Sequence, residues 1–167
     1  MDYPHWVSEQ PRRARDDVVA VMGAAPERVC DLVAALDEPR LAYRHGPAFP
    51  TLKELIAHLS ASASLLETEL RRAYLSGQRE VGVRAAIDPA QEPDLAPPAQ
   101  EFLDTYARVR RRTVDLIRGL GGQDWKRVLL DPSSGDITLT EICDAVVQHE
   151  LGHLAQIRNL ITLLPED

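Results

Sequence analysis

Cysteine is scarce: the 167 residues hold two, Cys30 and Cys143, far apart and without ligand-like spacing. A thiolate metal site is therefore not expected, and the pair fits a reducing compartment, where free cysteines behave as small apolar groups. Excess positive charge is also missing. The formal net charge is -7, whereas a protein that displaces counterions from nucleic acid needs a basic face. The densest basic run, Arg108, Arg110, Arg111 and Arg112, is interleaved with Glu101, Asp104 and Asp115 and reads as a solvated helix face. No apolar run approaches the roughly 20 residues of a membrane span. The first 15 residues are charged and lack the apolar stretch of a secretory signal. No nucleic acid, no membrane and a cytoplasmic location are the resulting expectations.

Aromatic residues make up only 5% of the chain, and Leu, Ala, Val, Arg and Glu dominate instead. These are helix-forming or helix-tolerant residues, which favours an all-α protein. With 44% hydrophobic and 27% charged residues, the composition is that of one globular domain over residues 1–167.

Four segments carry apolar residues at three- and four-residue intervals. The first spans residues 12–36, with a kink expected at Pro26 because the stripe stays in phase across it. The second opens on Thr51-Leu52-Lys53-Glu54, a capping box, and runs to about residue 76. Residues 77–98 hold four prolines among acidic residues and read as a long crossover loop between the second and third helices. The third helix covers residues 99–120 and stops at Gly121-Gly122, a good C-cap. After a connector with an Asp131-Pro132-Ser133-Ser134-Gly135 turn, a second capping box, Thr138-Leu139-Thr140-Glu141, opens a fourth helix lasting to residue 164. The expected fold is a four-helix bundle.

Chemistry concentrates on the histidines. His149 and His153 lie one turn apart and about 40° apart around the fourth helix, so both rings reach one ion. The helical wheel puts them in the middle of an apolar stripe with Ile142, Val146, Ile157 and Leu160. A buried imidazole without a partner costs about 1–3 kcal/mol, and two such rings, with His58 as a third on the second helix's stripe, point to a shared divalent metal. Ser62 and Gln156, each about a turn beyond a histidine, are the polar residues expected in a substrate pocket. Glu150 sits about 100° from His149, at the edge of the site, as a candidate general base or as a supporting carboxylate. His5 and His45 read as surface residues. The run His149-Glu150-Leu151-Gly152-His153 also spells the H-E-x-x-H of zinc proteases. That reading fails on the remaining chain, which has Gln156 and Asn159 where a third ligand motif needs Gly and His.

With these residues in place, the sequence resembles the DinB/YfiT-like superfamily of metal-binding four-helix bundles across residues 26–164. Thr51, Glu54, His58 and Leu59 match its motif on the second helix. Gly135, Thr138, Leu139, Glu141, His149, His153, Gln156 and Ile157 match the motif on the fourth. Two positions depart: Pro50 stands where a tryptophan is usual, and Ser60, Ala61 and Ser62 replace an acidic residue found after the first histidine. The resemblance implies three histidine ligands, open coordination positions, and commonly a homodimer. Its members include transferases or isomerases that use a low-molecular-weight thiol such as bacillithiol, mycothiol or glutathione, metal-dependent hydrolases, and many proteins with no known activity.

The expected function is accordingly that of a metal-dependent enzyme on a small molecule, with Zn or Ni as the foremost metals and Fe or Mn as further options. An ion held by three neutral imidazoles keeps its full charge, acidifies water for hydrolysis and can hold a thiol as thiolate. For the thiol route, Arg158, Arg44 and Arg40 are the candidate partners of cofactor carboxylates. The alternative is a non-catalytic, dimeric metal- or ligand-binding bundle in a stress response. Cys143, Val147, Leu154 and Ile161 form a second apolar sector for a neighbouring helix or a dimer face.

Overall fold

The computed structural model describes residues 15–165; His5 and the start of the expected first helix lie outside them. Four long helices dominate: α1 (Arg15–Val33), α3 (Leu52–Tyr74), α5 (Ala99–Gly119) and α7 (Leu139–Thr162). Three short helices join them, α2 (Glu38–Leu41), α4 (Val83–Ile87) and α6 (Gly122–Lys126). An antiparallel hairpin, β1 (Val128–Asp131) and β2 (Gly135–Thr138), leads into α7. The four expected helices are present, and α1 continues through Pro26.

Both capping boxes form. Thr51 Oγ1 accepts from the Glu54 N–H at 3.0 Å, and Glu54 Oε2 accepts from the Thr51 N–H at 2.7 Å. At α7 the Glu141 carboxylate accepts from the Thr138 N–H at 2.8 Å, and Glu141 N–H points back to Thr138 Oγ1 at 3.4 Å. Each box satisfies otherwise orphaned N–H groups and fixes where the helix begins. The phase of the histidines follows from those starts.

The expected glycine cap after α5 is replaced by a different device. Neither Gly121 nor Gly122 takes a positive φ; Gly121 N–H donates to Asp124 Oδ2 at 2.9 Å and the chain enters α6 directly. The hairpin was not expected from an all-helical pattern. Its turn was: Asp131 Oδ1 accepts from the N–H groups of Ser133 (2.8 Å) and Ser134 (2.9 Å), and Gly135 takes φ +85°. Burial pushes the Asp131 carboxyl up, but these donors and the Arg84 N–H outweigh it and hold the group below the usual carboxylate range.

Around the bundle, α1 packs on α5 and α7, and α3 packs on the same two helices. The first two long helices therefore occupy one diagonal and the last two the other. Between α3 and α5 the link containing α4 folds back over α3 and α7. The core divides into two apolar clusters. One gathers Met22, Leu66, Leu70, Ile117, Ile142 and Val146, and the other Val29, Ile56, Leu59, Tyr106, Leu154 and Ile157. Between them, on the α5–α7 diagonal, lie Arg110 and Glu150, each only 2% exposed. Arg110 is thus not part of a solvated face, although Arg108, Arg111 and Arg112 are exposed. Of the α7 sector read as packing on a neighbouring helix or forming a dimer face, Cys143, Val147 and Leu154 are buried within the chain and Ile161 is partly buried. No described helix is long and apolar enough to cross a membrane.

Candidate metal centre

His58 projects from α3, and His149 and His153 from α7, into one cavity at the edge where these helices meet. His149 Nε2 lies 3.0 Å from His58 Nε2 and 2.9 Å from His153 Nε2. One ligand atom from each ring lies within 4.8 Å of the others. Two nitrogens that share an ion at 2.0–2.1 Å can be at most about 4.2 Å apart, so both measured pairs are within reach. The rings are half-buried; His153 lies edge to face with both others, its centroid 4.4 Å from that of His149, while His58 and His149 are tilted at 55°.

Electrostatics keep these rings neutral. Burial, followed by the neighbouring His153 and His58 and then Arg110, pushes the His149 imidazole down to about 3. Burial also lowers His58 and His153, against an opposing pull from the Asp88 carboxylate. Gln156 adds a tautomer lock: its Oε1 accepts from His153 Nδ1 at 2.7 Å. The Nδ1 proton is thereby fixed and the Nε2 lone pair left facing the other two rings. Neutral imidazoles, convergent lone pairs and an oriented ring are what a divalent metal requires. The donor set fits such an ion.

The cavity measures about 520 Å³ and opens to solvent between α3, α7 and the α4–α5 link. Phe49, Pro50, Leu55 and Leu95 supply apolar walls, while Arg44, Glu54, Asp88, Glu92 and Gln156 supply polar ones. Arg44 is committed locally. It donates to Glu54 Oε1 and, at 2.7 Å, to the Phe49 carbonyl.

Of the residues expected at the site, the three histidines and Gln156 come together. Ser62 does not: it is buried on α3 and does not line the cavity, because one further turn carries it past the cavity into the helix interface. Glu150 departs more instructively. It points into the bundle, where Oε1 accepts from Tyr106 Oη at 2.7 Å and pairs with Arg110 Nη2. Burial raises the Glu150 carboxyl above its usual range, partly offset by Arg110 and the Tyr106 hydroxyl. Glu150 does not line the cavity; of its two candidate roles, general base or supporting carboxylate, its buried position between Tyr106 and Arg110 accords with the second. The protease reading fails on the same ground, since its glutamate must face the metal. Arg158 and Arg40 do not line the cavity either. His45 is exposed, edge-on to Phe49, and both described cysteines are free.

Sequence reasoning missed Asp88 and Glu92, which come from a proline-rich link with no periodicity to place them. It also missed Tyr106 and Arg110. A signal for those existed: Leu103, Tyr106, Arg110, Thr113 and Ile117 recur at helical spacing and are all buried, which puts Arg110 on the inner stripe.

Four long helices with convergent histidines from two of them define a helical-bundle protein with the makings of a metal site. The chain belongs to the DinB superfamily, whose sequence model matches residues 22–157. Its fold is similar to that of YfiT from Bacillus subtilis, with a TM-score of 0.73, 20% sequence identity, and coverage of 92% of this chain and 91% of that one. That protein is described as "a probable metal-dependent hydrolase with an unusual four-helix bundle topology". No curated protein matches this sequence.

Proposed function

We propose that this protein is a metal-dependent hydrolase of a small molecule, with His58, His149 and His153 holding one divalent transition metal. The observation that carries this reading is the approach of three Nε2 atoms from two helices at the floor of a cavity. Imidazole donors suit zinc and nickel, and also iron. Such an ion, when bound, supplies Lewis acidity that polarises a carbonyl and acidifies water. The chain's own contribution is positional. Gln156 fixes the His153 ring, the two capping boxes set the phase of both ligand helices, and the apolar walls give a substrate a partly dry surface. YfiT, a structural relative, is itself described as "a probable metal-dependent hydrolase", which accords with this reading.

Hydrolysis is preferred to thiol transfer because, among the described residues, the cavity offers no uncommitted guanidinium or ammonium group. The one guanidinium that lines it, Arg44, is paired with Glu54. A screen of esters and amides with metal-free and zinc-, nickel-, iron- and manganese-loaded protein tests the proposal. Metal-dependent turnover that is abolished in His149→Ala is expected. Turnover only when a thiol cofactor is supplied, or none with any metal, would count against it.

A further inference from the structure

The ionisable groups around the cavity are unevenly balanced. Besides the histidines, its wall carries three carboxylates, Glu54, Asp88 and Glu92, and one guanidinium, Arg44. Glu54 and Arg44 cancel each other through their ion pair. Asp88 and Glu92 remain, and among the described residues no ion pair engages either. Both are exposed at the mouth, on the link that folds over α3 and α7. Asp88 is also close enough to act electrostatically on His58 and His153. The histidine cluster on the floor independently marks the cavity as a ligand site. The tail of a ligand held at that floor lies beside these two carboxylates at the mouth, away from the histidines, and they penalise an anionic tail and favour a cationic one.

We propose that Asp88 and Glu92 select substrate charge at this cavity and that the substrate is a small molecule bearing a protonated amine. This rests on the three-histidine metal site proposed above. The carboxylates act on binding, through the amine end of the substrate, while the apolar walls take its hydrocarbon portion.

Cobalt-loaded protein provides the test, with hydroxamic acids of equal chain length that end in an ammonium, a methyl or a carboxylate group. The hydroxamate engages the metal and its tail samples the mouth; binding is read from the cobalt absorption spectrum. The ammonium probe is expected to bind about three- to tenfold more tightly than the methyl probe, as two partly exposed ion pairs would give. The carboxylate probe should bind most weakly, and the differences should shrink at high salt. In the D88N/E92Q variant the ammonium advantage should fall to within about twofold, the loss expected when those same pairs are removed. If wild-type protein binds cobalt but prefers the carboxylate tail, shows no preference or binds no probe, the charge assignment is overturned and the metal site stands. If it gives no cobalt spectrum, the site itself falls and the charge assignment falls with it.

Discussion

His149 is the hinge of the candidate centre, the ring whose Nε2 approaches both of the others. Its lowered proton affinity has a consequence for stability. In the unfolded chain a histidine titrates near 6.5, whereas folded His149 titrates at about 3. Between those values the unfolded state holds the extra proton, so stability rises with pH there. Metal-free protein should be fully stabilised in this respect above pH 6.5 and lose stability steadily down to about pH 3. Urea midpoints measured across that range should show a shallower slope in His149→Asn than in wild type. At the same scale, Gln156→Leu leaves every ligand in place but frees the His153 ring. Its metal affinity should drop by roughly 10-fold, read by competition with a chromophoric chelator; an unchanged affinity would remove the tautomer lock from the account.

The histidine cluster was legible as residues because i, i+4 histidines on an apolar stripe are hard to explain otherwise. Their orientation was less so. The wheel centred the stripe on the histidines, yet the buried line through Cys143, Val146, Val147, Glu150, Leu154 and Ile157 runs through Glu150. The rings sit on the flank that meets α3. A glutamate is rarely placed in a core on sequence grounds, since its burial is tolerable only with a partner, and the partner, Arg110, lies 40 residues away.

That partnership governs the relation of α5 to α7. Arg110 keeps its charge, raised by the adjacent Glu150 despite burial, and Tyr106 is held well above 10 by burial and the same carboxylate, so it stays a hydroxyl donor. Among the described residues, Arg110 Nε and Nη1 and Glu150 Oε2 have no hydrogen-bond partner. Removing one member strands the other charge: Arg110→Met should cost about 3–5 kcal/mol. Replacing both, Arg110→Met with Glu150→Leu, should recover most of that loss, because a well-packed apolar pair often equals a buried ionic one. Chemical denaturation of the two single variants and the double variant measures the coupling. Additive losses would show that the pair does not act as a unit. At the element scale the capping boxes were readable four residues at a time, whereas the β1–β2 hairpin was not. Four-residue strands give too short an alternation to be distinguished from a connector.

For the whole molecule, the number and sequence of the long helices followed from periodicity, but their arrangement did not. Nothing in a stripe of leucines says that α1 and α3 lie on a diagonal, which is a matter of which faces are complementary. The 77–98 segment showed the same limit. Its length and prolines marked a long link; only its path over α3 and α7 shows that it walls the cavity. Because the proposed ligands come from α3 and α7, a bound metal should brace these two helices where they meet. A chelator should therefore lower the Tm of metal-loaded wild type and leave the Tm of His58→Ala unmoved, by mass action on the folded state alone.

Metal content, determined by elemental analysis after loading and desalting, probes the proposed centre most directly. Wild type should retain one divalent ion per chain, and His58→Ala and His149→Ala, folded by circular dichroism, should retain almost none. A wild type that retains no metal, or a His58→Ala variant that holds as much as wild type, would contradict a centre shared by α3 and α7.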